Sequence, residues 1–205
     1  MCGNGIRCFA LYVKLLQLTS LNHLVIETAA GEIITDIIGE NMVKVNMRPP
    51  VIDAPAIPVT QDSGTVVMKK MNIDDKNFQV TAVSMGNPHA VIYTDELTDT
   101  LVQCYGPKIE THPFFPKKTN VEFVKILSDR EIRMRVWERG CGETQACGTG
   151  ACASVVSGVI NKLHGNDVTV HLPGGELQIQ WSGSLSDPVF MTGPARKVFE
   201  GNVEI

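Results

Sequence analysis

At 205 residues with 43% hydrophobic side chains, the chain is long enough for one large packed domain or two small ones. Its net charge of -4 and the scatter of its charged residues exclude the basic stripe of a nucleic-acid binder, and leave a small molecule as the expected partner. No apolar run reaches the roughly 18 residues of a membrane span, so no membrane partner and a cytoplasmic location are expected.

The first motif is Cys2-Gly3-Asn4-Gly5, and the apolar spacing after it predicts a helix over 6–18. Ile6, Phe9, Leu11, Val13, Leu15, Leu16 and Leu18 make that stretch apolar nearly all round, as in a central, buried helix. A hairpin is predicted over 24–38 with its turn at Ala30-Gly31, then a short strand over 41–47. The segment 46–59, NMRPPVIDAPAIPV, holds four prolines and reads as an inter-domain crossing. Strands follow over 78–93, 120–127 and 131–138, and 139–146 turns the chain into a second motif, Cys147-Gly148-Thr149-Gly150. A second helix is predicted over 151–163 with Gly165 as its C-terminal cap, then a hairpin over 168–181 and a strand over 189–191. The tail from Thr192 reads as a strand returning to the first domain.

These elements repeat. Motif, helix, hairpin and short strand recur in the same order, with Ala30-Gly31-Glu32-Ile33 lying over Gly174-Gly175-Glu176-Leu177. The expected domains are 1–47 plus 192–205, and 48–191. The second copy is preceded by strands that the first lacks. If the copies were once equivalent, about 60 to 70 residues of strands that should precede Cys2 are absent, because an apolar helix needs a sheet to cover it. Helix 6–18 would then expose much of its apolar surface.

Six cysteines, Cys2, Cys8, Cys104, Cys141, Cys147 and Cys152, lack both the close pairs of a zinc site and the short secreted context of a disulfide scaffold, so no metal is expected. Cys8, Cys104 and Cys152 read as buried apolar residues. Cys2 and Cys147 differ, since each stands in a glycine-rich turn at a helix start, where free N–H groups and the positive dipole end favour a thiolate or a bound carboxylate. Two such units face to face would hold one ligand between two thiols, the geometry needed to take a proton from one face of a tetrahedral carbon and return one to the other. Donors aimed at the substrate carboxylate would supply the larger, electrostatic part of the catalysis.

The motifs MCGNGIRC, GNPHAV, TNVEFV and ERGCGETQACGTGA, in this order and over essentially the whole chain, resemble the signature set of diaminopimelate epimerase. The resemblance implies an α+β fold of two similar domains related by a pseudo-twofold, each a mostly antiparallel sheet wrapped around a central helix, here without the first part of the first domain. It implies a cofactor-independent isomerase, free of pyridoxal phosphate, that interconverts LL- and meso-diaminopimelate for lysine and peptidoglycan synthesis, with a homodimer expected. Carried over by motif, Cys2 and Cys147 are the acid–base pair, and His89 and Glu138 tune the thiols. Gly3, Asn4, Asn87, Asn120, Glu138, Arg139, Gly148 and Thr149 are then substrate-binding residues. Arg139 offers a planar fork to a carboxylate, and asparagine amides can serve an ammonium and a carboxylate at once. Cys141 stands where the family more usually has a small or apolar residue, and adds a third thiol that could pair with Cys147. This chain alone is expected to be weak or inactive.

Other readings stay beside this one. Glu138 and Arg139 read equally as a surface ion pair, Asn120 as a strand start, and His89 outside its motif as a structural residue. His23, His112, His164 and His171 carry no motif. GNGIRC and GTGACA approximate a dinucleotide fingerprint, but neither follows an apolar strand. A non-catalytic amino-acid-binding remnant, or a two-cysteine racemase acting on proline or hydroxyproline, would share the same motifs.

Overall fold

The computed structural model describes residues 3–29 and 31–202. Helix α1 (Gly3–Leu15) starts inside the first motif and buries Gly3, Ile6, Arg7, Ala10 and Leu11, the stripe that a 3.6-residue repeat lays along one face. After it come β1 (His23–Ile26), β2 (Ile33–Ile37) and β3 (Met42–Asn46), an antiparallel meander. The proline-rich crossing makes one short 3-10 turn at Ala54–Ala56. Then follow β4 (Lys69–Ile73), β5 (Lys76–Ser84) and β6 (Pro88–Tyr93), a π-helical turn over Thr100–Tyr105 and the short helix α2 (Gly106–Glu110). Strands β7 (Asn120–Ser128), β8 (Glu131–Glu138) and β9 (Gly142–Thr144) lead into α3 (Gly148–Asn161). The chain closes with β10 (Asp167–Leu172), β11 (Gly175–Gln180) and β12 (Phe190–Pro194).

Among the described residues the strands form one sheet in the order β1-β2-β3-β12-β11-β10-β8-β7-β6-β5-β4, with β9 paired to β8. Most pairs are antiparallel, and the exceptions are β6 with β7 and β8 with β10. The internal repeat is visible in that order: β1-β2-β3 meets β12-β11-β10 as a mirror sequence, joined where β3 and β12 pair from Met42↔Pro194 to Asn46↔Phe190. This α+β arrangement places the two helix starts on the same side of the β3–β12 seam. A Cβ on Gly3 would stand 2.8 Å from Met191 Cε and 3.5 Å from Met47 Cε, and one on Gly148 would stand 3.5 Å from Gly3 Cα. The two helix starts are therefore in van der Waals range of each other, and a side chain at Gly3 would displace the end of Met191.

The copies differ in how their helices are covered. Every residue of α3 from Gly148 to Gly158 is buried, because its small side chains let the surrounding strands approach on all sides. One core joins α3 to β10, β11 and β12 and to the buried stripe of α1. A second core lies across β5, β6 and β7, where Phe78, Val80, Ala90, Ile92, Val121 and Phe123 face away from α3. Alternate residues of the same strands therefore face α3, and these include His89 and Glu122. On α1 the outer face stays open, with Phe9 49%, Tyr12 57%, Leu15 52% and Leu16 50% exposed. The helix expected over 6–18 runs instead from Gly3 to Leu15 and is buried along one face only.

Some expectations need correction. Cys152 is buried, but Cys8 and Cys104 are exposed, since Cys8 falls off the buried stripe of α1 and Cys104 beside the buried pair Leu101 and Val102 of its turn. Helix α3 ends at Lys162 in the left-handed conformation (φ 57°), not at Gly165. The His164 ring lies against Gly158, where a Cβ would come within 1.8 Å of Nε2, and Gly165 donates its N–H to Asp129 O at 2.8 Å. The tail pairs as a strand only to Pro194; Ala195 N–H still reaches Asn41 O, and β3 offers no further partner. Strand β4 and helix α2 carry no sequence signal that the motifs supplied.

Candidate active site

The approach to α3 is held by a chain of polar anchors. After β8 the chain turns at Gly140 and Gly142, both at positive φ (76° and 81°), and Glu110 fixes the turn by accepting from Gly140 N–H (3.0 Å) and Trp137 Nε1–H (2.8 Å). Arg135 grips Glu143 with two bonds of 2.7 and 3.0 Å, the fork geometry that makes guanidinium–carboxylate pairs directional. Gly174 N–H then bonds Gln145 O at 2.8 Å. The result is that Cys147 arrives as the N-cap of α3, in extended conformation and with no side-chain cap bond. The first turn of α3 is accordingly left with its N–H groups and positive dipole end for a ligand.

A hydrogen-bonded line runs back from the thiol. Cys147 Sγ lies 3.5 Å from Thr149 Oγ1, and that oxygen accepts from Asn87 Nδ2 at 3.3 Å. Asn87 Oδ1 stands 3.1 Å from His89 Nε2, and His89 Nδ1 stands 2.7 Å from Glu122 Oε1. His89 and Glu122 are both fully buried. Thus Cys147, Gly148, Thr149, Asn87 and His89 come together in one cluster. Glu138 joins them at one remove, accepting from Thr144 Oγ1 at 2.5 Å and adding its charge to the field at Cys147.

The first motif supplies the facing side. Gly3 meets Gly148 across Met191, and Asn4 Nδ2 donates to Ala146 O at 3.4 Å. Asn4 Oδ1 is buried and has no hydrogen-bond partner among the described residues. Arg7 donates to Gly3 O at 3.1 Å and to Pro194 O at 3.3 Å, tying the start of α1 to the end of β12. Cys2 lies outside the described residues. Asn120 uses both ends of its amide on backbone, donating to Pro88 O (2.8 Å) and accepting from Arg139 N–H (3.0 Å). The Arg139 side chain is exposed and donates to Lys117 O at 3.3 Å, outside this cluster. Cys141 is exposed while Cys147 is buried.

Burial, followed by the Glu122 charge, pushes the Cys147 thiol up to about 12 from an ordinary 9.0. Burial also raises Glu122, against the opposing pull of His89, and raises Cys152. In this structure burial therefore favours the protonated form of the Cys147 thiol at neutral pH. Glu122 is the residue that sequence reading missed. Its alternation in Asn120-Val121-Glu122-Phe123-Val124 looks like a strand with one solvent face, whereas both faces of β7 are covered. No group of three or more His, Cys, Asp or Glu suited to a metal ion occurs among the described residues.

Comparison with known proteins bears on this arrangement directly. The profile of the family described as Diaminopimelate epimerase matches residues 81–198. The diaminopimelate epimerase of Halothermothrix orenii is 49% identical over 211 residues, spanning 100% of this chain and 73% of that protein. This chain belongs to the diaminopimelate epimerase family, a family of isomerases. The diaminopimelate epimerase of Desulfitobacterium hafniense is 48% identical, over 98% of this chain and 72% of its own length. Among solved structures, a probable proline racemase from Agrobacterium radiobacter K84 superposes with a TM-score of 0.68 at 17% identity, covering 95% of this chain and 65% of that one. A hydroxyproline epimerase from Agrobacterium vitis gives 0.64 at 15% identity, covering 92% of this chain and 61% of that one. These structures share the fold of the diaminopimelate epimerase family.

Proposed function

We propose that the chain carries the machinery of a two-base epimerase that interconverts LL- and meso-diaminopimelate for lysine and peptidoglycan precursor synthesis. The observation that carries this reading is the abutment of the two motif helices, with buried Cys147 at the N-cap position of one of them and Gly3, next to Cys2, against its start. In the reaction, one sulfur takes the α-proton as the C–H bond breaks. The other thiol gives its proton to the opposite face of the carbanion, so one proton leaves, one arrives and the charge ends on the second sulfur. With Cys147 protonated at rest, the starting direction has Cys147 as acid and Cys2 as base; the return direction exchanges the roles.

Within this reading the N–H groups at the starts of α1 and α3 hold the substrate carboxylate as its α-carbon gains negative charge. The unpartnered Asn4 Oδ1 and the half-buried Asn87 serve the ammonium end. Glu138, Arg139 and Asn120 shape the turn beside it. The division into domains 1–47 plus 192–205 and 48–191 belongs to the same reading, and the family likeness adds a homodimer in the cytoplasm.

A second reading, an amino-acid-binding remnant without turnover, is favoured by the open outer face of α1, where Phe9 and Tyr12 are exposed while the start of α3 is buried. One experiment separates the two. LL-diaminopimelate is incubated with the chain in D2O, and α-carbon deuterium is read by mass spectrometry, beside alkylation of Cys147 with and without meso-diaminopimelate. Slow deuterium uptake that Cys147→Ala abolishes supports the epimerase. Protection of Cys147 without uptake supports the remnant, and neither uptake nor protection overturns both.

A further inference from the structure

Glu122 and His89 form a pair that the thiol chemistry described above does not use. Both side chains are wholly buried and lie 2.7 Å apart, Oε1 to Nδ1. Glu122 Oε2 is buried with no hydrogen-bond partner among the described residues. Room for this carboxylate is made by a glycine: a Cβ on Gly150 would stand 2.7 Å from Glu122 Oε1 and 3.3 Å from Cys147 Sγ. The carboxylate and the thiol therefore border the same point, behind the first turn of α3.

The protons of the pair can be counted from its partners. Asn87 turns its amide nitrogen to Thr149 Oγ1, which leaves its carbonyl oxygen facing His89 Nε2. A carbonyl only accepts, so Nε2 carries a proton and donates it. The 2.7 Å contact between Nδ1 and Oε1 then also needs one proton, borne by either atom. The pair holds two protons and is neutral as a whole, in keeping with the cost of an isolated buried charge.

We propose that Glu122 is a positioning residue of this site: it holds a single shared proton against His89 Nδ1, fixes the Nε2–H tautomer, and through Asn87 and Thr149 orients the hydroxyl beside the Cys147 thiol. This rests on the reading of Cys147 as a reacting thiol. The carboxylate of the pair faces the Cys147 thiol across the space that Gly150 leaves open. The charge of Glu122 is the second cause, after burial, of the raised Cys147 pKa. The other groups in this field are Glu138 from β8, Cys152 within α3, and Arg7 from α1, which acts on Cys152.

Two measurements on the full chain test this without using turnover. In 15N-histidine-labelled protein, His89 is expected to show a protonated Nε2 and an Nδ1 shift between the protonated and bare limits; a neutral ring with a bare Nε2 would overturn the proposal. In Glu122→Gln, which keeps the shape and removes the shared proton, iodoacetamide alkylation of Cys147 at pH 10 is expected to be about tenfold faster than in the unsubstituted chain, one unit of thiol pKa. Exposed Cys8, Cys104 and Cys141 serve as internal references and are expected to be unchanged. Glu122→Asp, which keeps the charge, is expected to return the Cys147 rate toward its original value. Unchanged Cys147 alkylation in Glu122→Gln, or equal acceleration at every cysteine, including buried Cys152, would show only packing and overturn the proposal. If Glu122→Gln does not fold, the histidine spectrum decides alone. Failure of α-carbon exchange with diaminopimelate would count against the epimerase reading and leave these two results standing.

Discussion

Helices α1 and α3 begin with the same Cys-Gly-polar-Gly motif and end in different surroundings. Helix α3 is enclosed by strands from both halves of the sheet and buries its whole first eleven residues in the run Gly148 to Gly158. Helix α1 rests on β2 and β3 and presents Phe9, Tyr12, Leu15 and Leu16 outward. The motif alone therefore does not set how deeply its helix is buried. What differs is whether the side chains behind the motif are held, and only the α3 side has the buried line from Cys147 to Glu122.

That contrast can be broken most strongly at Gly150. Gly150→Val would drive side-chain atoms into Glu122 and Cys147, and we expect a loss of about 3 kcal/mol or more of unfolding free energy, read by urea denaturation. Truncating a fully buried side chain of α3, Val155→Ala, is expected to cost about 2 kcal/mol by the same measurement. The pH dependence comes next. Because the Cys147 thiol is raised in the folded state, its contribution is intact below pH 9.0 and is lost as the pH climbs toward about 12. There the unfolded chain releases the proton that the folded chain keeps, and stability falls by up to about 1.4 kcal/mol per pH unit for this one group. Buried Cys152 acts in the same direction. Cys147→Ala should flatten that alkaline limb in urea titrations between pH 8 and 11. The smallest effect is expected on α1, where Leu16→Ala should change stability by about 0.5 kcal/mol or less. The paired change Leu15→Glu and Leu16→Glu should instead reduce self-association by light scattering, since it breaks up an exposed apolar patch.

The legible parts of the molecule were those written as local pattern. The repeat of motif, helix and hairpin foretold the β1-β2-β3 and β12-β11-β10 halves, because turn glycines and alternating apolar residues act over a few positions. The meeting of Gly3 and Gly148 followed from the same repeat. Glu122 was hidden because period-2 alternation records that a side chain faces one side, without recording whether that side holds water or a helix. Cys8 and Cys104 were misjudged for a related reason: residue type sets an average burial, and the phase of α1 and of the turn at Thr100–Tyr105 sets the actual one. The end of α3 was hidden because a lysine, Lys162, takes the left-handed cap position that sequence assigns to glycine, letting Leu163 N–H reach Gly158 O.

The central claim is that one motif helix is locked into the fold while its twin is only half held. Native-state hydrogen exchange of the whole chain, resolved by residue, tests it most directly. Amides of α3 from Ala151 to Gly158 should exchange only through global unfolding, and those of α1 from Ala10 to Leu15 through local opening, at least about 100-fold faster. Equal protection in the two helices would contradict the account.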